Sequence, residues 1–134
     1  METEMIPGEN MDIEAFFKDI ITQNQEKLPA YFNDNAIIRW HCSNEQFTVD
    51  EYVRANCEYP GKWQGKIERI ERCDRLIILA ARVISITGDI SCHVTSFIRL
   101  ENGRISEMDE YWADDQEAPL WRKEMGIGQK IDQR

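Results

Sequence analysis

The sequence has no excess of positive charge, no long hydrophobic run and no close pair of cysteines, and each absence removes a class of function. Its 16 basic residues are scattered among 25 acidic ones, for a formal net charge of −9. Such a surface repels phosphate backbones and anionic headgroups, so neither nucleic acid nor membrane is expected as a partner. No apolar stretch approaches the roughly 20 residues that span a bilayer. The first residues, Met-Glu-Thr-Glu-Met, are acidic where a secretory signal would be basic. A cytoplasmic protein is expected. The four cysteines, Cys42, Cys57, Cys73 and Cys92, lie 15, 16 and 19 residues apart. In a reducing compartment they serve as small apolar residues, and without two close ligand pairs they give no expectation of a metal.

With 134 residues the chain can bury one core and is too short for two, so one domain over 1-134 is expected, with 1-9 and 126-134 loosely ordered. From Asn10 or Asp12, either of them a good N-cap, Ile13, Phe16, Phe17, Ile20 and Ile21 recur at helical spacing, which predicts an amphipathic helix to about Asn24. Pro29 suits the first turn of a second short helix carrying Leu28, Tyr31 and Phe32, after which Asn33-Asp34-Asn35 is expected to turn the chain. Ala36 to Cys42 reads as a first strand, with Ile38 and Trp40 on one face and Ile37, Arg39 and His41 on the other. Ser43 to Gln46 reads as a loop. Thr48 and Glu51 form a capping box, opening a helix that packs Val49, Tyr52 and Val53 inward and stops before Pro60-Gly61.

The rest is β-rich. Trp63 to Cys73 alternates out of phase between Ile67 and Ile70, which points to a bulge. Leu76 to Ile86 is nearly continuous in apolar residues and is expected to be a central strand covered on both faces. Cys92 to Trp112 holds two β-prone runs joined by Asn102-Gly103, a strong hairpin signal because a type I′ turn needs φ > 0 at both central residues. A plain hairpin pairs Glu101 with Arg104, Leu100 with Ile105, Ser96 with Asp109, Thr95 with Glu110 and His93 with Trp112. Ala118 to Arg122 reads as one helical turn.

This order of elements is α+β: a curved antiparallel or mixed sheet of five or six strands wrapped as a cone around the N-terminal helices. Together with Phe32-Asn-Asp-Asn-Ala36 entering the first strand and Asp109-Glu-Tyr-Trp112 ending the last, it resembles the nuclear transport factor 2-like superfamily, more closely its polyketide-cyclase-like (SnoaL-like) branch. The resemblance implies a cone-shaped roll. The ketosteroid isomerases of that superfamily place a tyrosine, a proton-shuttling aspartate and a protonated aspartate where this chain has Phe16, Trp40 and Ser96, none of which can perform that proton chemistry. The same comparison turns Trp40, Ser96, Met108, Glu110 and Trp112 into the cone. That conflicts with the plain hairpin register, and a bulge in the last strand would reconcile them.

Two functions follow as alternatives. One is a cofactor-independent acid-base enzyme of isomerase, cyclase or dehydratase type acting on an apolar substrate, with Glu110 or Asp109 as base, since burial raises a carboxylate toward useful basicity. The other is a non-catalytic module holding a small apolar ligand. In both, Phe16, Trp40, Tyr52, Trp63, Ser96, Met108 and Trp112 are the expected ligand-binding residues, and no cofactor is called for. The apolar outer face of Leu76 to Ile86 implies a homodimer.

Overall fold

A computed structural model describes residues 11–132. The loose order expected at 1-9 lies outside the described residues. Helix α1 spans Ile13–Ile21, its N-cap Asp12 accepting a hydrogen bond from the Ala15 N–H at 3.0 Å. It ends earlier than the sequence suggests, because Gln23 adopts a left-handed backbone (φ 55°). A short 3-10 turn, Leu28–Tyr31, leads into β1, Phe32–Trp40. Asn33 to Asn35 therefore belong to the strand rather than to a turn. They form an irregular stretch where the pairing slips between Phe32 and Ile37.

After β1, a second 3-10 turn, His41–Ser43, turns the chain back into β2, Glu45–Phe47, which pairs antiparallel with the end of β1. Glu45 to Gln46 thus form a strand where the sequence suggested a loop. Asn44 in the left-handed conformation (φ 58°) makes the reversal possible. Helix α2, Val49–Cys57, starts on the capping box of Thr48 and Glu51, both halves of which are formed.

The remaining strands are β3 (Trp63–Cys73), β4 (Leu76–Ser85), β5 (Ser91–Glu101) and β6 (Arg104–Asp114). The six strands form one curved, unclosed mixed sheet in the order β2-β1-β6-β5-β4-β3, parallel only between β1 and β6. Glu68 is the extra residue of a bulge in β3, in the interval where Ile67 and Ile70 fall out of phase. Asn102 and Gly103 both take positive φ (54° and 80°), and Glu101 pairs with Arg104 as expected.

Two residues later the register changes. Arg99 pairs with Glu107, leaving Ser106 as the extra residue, its hydroxyl donating to the Arg99 carbonyl at 3.2 Å. Every pair beyond it is shifted by one relative to a plain hairpin. Ser96 faces Glu110, Thr95 faces Tyr111 and His93 faces Ala113. The bulge at Ser106 thereby turns Met108, Glu110 and Trp112 to the inner face, because side chains alternate with period two.

The core lies between the inner face of the sheet and α1 and α2, around Phe16, Phe32, Tyr52, Ile77, Leu79 and Met108. The expectation that β4 is covered on both faces is not met. Ile77, Leu79, Ala81 and Val83 are buried, whereas Leu76, Ile78, Ala80 and Ile84 on the other face are only half-buried, because both helices pack on one side. Beyond β6 a short helix α3, Leu120–Glu124, presents Leu120 and Trp121 to solvent. No helix among the described residues is long and apolar enough to cross a membrane.

Helix α1 approaches β3 closely at Gly65, where a Cβ would meet the Phe17 ring at 2.7 Å and Ile21 at 2.8 Å. Replacing Gly65 by alanine forces the side chains of Phe17 and Ile21 to shift. It should destabilise the protein by about 1–3 kcal/mol in urea unfolding, the usual cost of overpacking. A loss near zero would mean that the Phe17 and Ile21 side chains yield without cost.

Candidate functional site

Between the C-terminal ends of α1 and α2 and the open end of the sheet lies a cavity of about 420 Å³, within the usual range for small-molecule sites. Trp40 closes β1, Trp63 opens β3 and Trp112 stands near the end of β6, and all three border it together with Tyr59, Ile20 and Ile90. Among the described residues no Lys, Arg or His lines it. Its carboxylates, Glu45 and Asp114, lie at exposed positions.

The helix ends beside the cavity are held by two side-chain amides. Gln23 donates to the Asn56 and Tyr59 carbonyls at 3.1 and 2.8 Å, and Asn56 donates to the Ile20 carbonyl at 3.1 Å. The bond to Asn56 satisfies a carbonyl that the last turn of α2 leaves free. Trp63 packs edge-on against Tyr59 with ring centroids 5.7 Å apart. Trp40 is wedged between Phe47 at 4.8 Å and Tyr52 at 6.2 Å, both edge-on. Trp63 and Trp40 therefore pack against different aromatic neighbours.

Behind Trp40 and Trp112 lies Glu110, 3% exposed and absent from the cavity wall. Its Oε1 accepts the indole N–H of Trp40 at 3.0 Å and that of Trp112 at 3.3 Å, while Oε2 lies 2.5 Å from the Ser96 hydroxyl. Burial pushes its carboxyl above the ordinary value, and the hydrogen bonds from Ser96, Trp112 and Trp40 hold that rise back. An indole N–H can only donate. A proton bound to Glu110 must therefore sit on Oε2, toward Ser96, whose hydroxyl can donate to the carboxylate or accept from the acid. Either charge state leaves the group hydrogen-bonded. Tyr52, wholly buried and close to Glu110, has its phenol raised by desolvation first and by that carboxylate second.

The sequence-selected residues divide into three sets. Trp40, Trp63 and Trp112 border the cavity; Phe16, Tyr52, Ser96, Met108 and Glu110 are buried without bordering it. Asp109 lies on the opposite face of the sheet, where its Oδ1 receives Arg39 at 3.2 Å and His41 at 2.7 Å. His41 stacks on Tyr111 there with ring centroids 4.5 Å apart, and Glu107 completes the cluster through Arg39 at 2.9 Å. Beyond the bulge at Ser106, the odd-numbered phase of β6 is thus the outer one.

The sequence reading missed Gln23, Tyr59, Cys42 and Cys92. Cys92 borders the cavity, but burial and the nearby Asp114 and Asp115 push its thiol up to about 11, so it is a poor nucleophile. Tyr59 carries a weak signal in hindsight, standing directly before Pro60-Gly61 at a helix exit. For Gln23 there is none. Among the described residues no group of three His, Cys, Asp or Glu side chains is arranged to hold a metal.

No family model matches the chain, and no curated protein matches its sequence. Solved structures do match its fold. A candidate ketosteroid isomerase from Kribbella flavida DSM 17836 superposes with a TM-score of 0.75 at 20% identity, over 90% of this chain and 87% of that one. A nuclear transport factor 2-like protein of unknown function from Burkholderia xenovorans LB400 gives 0.73 at 20% identity over 90% and 92%. A candidate SnoaL-like polyketide cyclase from Shewanella putrefaciens CN-32 gives 0.63 at 13% identity over 84% and 91%. The chain has the nuclear transport factor 2-like fold that these proteins share.

Proposed function

We propose that this chain is a small-molecule-binding protein that holds an apolar, ring-bearing ligand between Trp40, Trp63 and Trp112, without catalysing its reaction. The observation that carries this reading is the wall of the cavity: three indoles and a tyrosine converge on it. The buried carboxylate behind them accepts two of those indoles on Oε1 and the Ser96 hydroxyl on Oε2. A general base needs hydrogen-bond reach to the proton it takes. Glu110 has both oxygens engaged and does not border the cavity, and Asp109 faces the other side of the sheet. The acid-base reading of these two carboxylates therefore loses its support, and Glu110 acts as an anchor for the aromatic wall. Unpaired cysteines fit a cytoplasmic setting for such a binder.

A homodimer through the outer face of the sheet belongs to the same reading. Leu76, Ile78 and Ala80 of β4 and Phe97 of β5 form a half-buried apolar strip there. The Arg39, His41, Glu107 and Asp109 cluster flanks it. A second copy of the strip is its simplest cover.

Naphthalen-1-ol should quench tryptophan emission on titration into the wild-type protein. Trp63→Leu should weaken that binding about tenfold, the order expected for losing one aromatic contact, while Trp121→Leu, which alters α3 outside the cavity, should leave it intact. Absence of saturable binding at millimolar probe would overturn the proposal. For the dimer, light scattering at micromolar concentration should give twice the 15.8 kDa chain mass. Phe97→Glu should return that mass to one chain. A wild-type monomer would remove the dimer from the account.

A further inference from the structure

Within this reading of the cavity as a binding site, we infer that its ligand is an organic cation, an alkylated ammonium, rather than a neutral hydrocarbon. Among the described residues four aromatic side chains, Trp40, Trp63, Trp112 and Tyr59, border the cavity, and the charged ones are Glu45 and Asp114, with no Lys, Arg or His in the wall. A purely hydrophobic site gains nothing from that one-sided charge. A cation gains twice. It is attracted electrostatically to the negative face of an aromatic ring, tryptophan being the best of them, and it meets carboxylates at the mouth of the cavity. The formal charge of −9 on the whole chain draws it in the same direction.

The hydrogen bonds behind the wall strengthen the argument. The N–H groups of Trp40 and Trp112 both end on Oε1 of Glu110, which lies outside the cavity. Those two indoles therefore offer the ligand ring carbons and no donor, so a carboxylate or phosphate on a ligand would find no hydrogen bond from them. When Glu110 is ionised, a donor hydrogen-bonded to an anion releases electron density into its ring, because polar groups in a chain of contacts polarise one another. The rings then present a more negative face to the cavity. Glu110 thus acts as a positioning residue with an electrostatic effect on the ligand, through two indoles rather than by contact. An alkylated ammonium suits such a site because its charge is weakly hydrated and its methyl groups fill apolar volume.

A matched pair of probes separates this inference from the binding reading beneath it. The first is a phenyl-bearing trimethylammonium alcohol; the second is the neutral alcohol of the same shape, with tert-butyl in place of trimethylammonium. Calorimetric titration of the intact protein at pH 8 should give at least about fivefold tighter binding of the cation, within the range of desolvated cation–π contacts. Glu110→Gln, whose amide oxygen can keep both indole N–H bonds while its NH2 donates to the Ser96 oxygen, should bring the cation-to-neutral ratio toward one. Asp114→Asn, an exposed change that does not threaten folding, should lower the ratio as well. If the neutral probe binds as well as the cation or better, the cation inference is overturned while the binding reading stands. If neither binds, both fall. A wild-type preference that survives unchanged in both variants would overturn the role assigned here to the carboxylates.

Discussion

The carboxylate of Glu110 is the constraint from which the geometry of the open end follows. Three donors reach it, from Trp40 at the end of β1, Ser96 in β5 and Trp112 in β6. A buried charge without partners would cost far more than any of these bonds returns, so the three side chains are held to one arrangement. The parallel pairing of β1 with β6 brings Trp40 opposite Glu110, and the bulge at Ser106 turns Glu110 inward. Without the bulge, Asp109 would face the core and Glu110 the solvent.

That single extra residue also marks the limit of what the sequence could tell. Asn102-Gly103 fixes the turn and its first two pairs locally, through a φ requirement that few residues satisfy. Ser106 carries no comparable signal, since its hydroxyl closes on a backbone carbonyl of the partner strand. The inward phase of Met108, Glu110 and Trp112 was accessible only by resemblance to a fold. In the same way Glu68 leaves a trace, because isoleucines on either side of it fall out of phase, whereas β2 is too short and polar to announce itself. The capping box of Thr48 and Glu51 and the stripe of α1 were legible because each is decided by residues close in sequence. The cavity was half legible. Its tryptophans stand out by type, but Gln23 and Asn56 act by reaching carbonyls of distant helix ends, which no periodicity records.

The buried carboxylate has a cost that pH exposes. A carboxyl held above its ordinary value in the folded state opposes folding once pH exceeds its unfolded value of about 4.3. The opposition grows until pH passes the folded value and is absent in acid. A protein that keeps such a group in its interior gives up stability for the fixed geometry of two aromatic walls, which is sensible where the wall is the function.

The most direct measurement is an indole ¹⁵N–¹H titration by NMR from pH 4 to pH 9, following the four tryptophans. The account predicts that the Trp40 and Trp112 N–H signals move downfield together as pH rises, with one shared midpoint above that of an exposed glutamate, and that neither moves in Glu110→Gln. Trp63 and Trp121 should not follow that midpoint. Separate midpoints for Trp40 and Trp112, or a pair of signals indifferent to Glu110, would contradict the claim that one buried carboxylate organises the aromatic cavity.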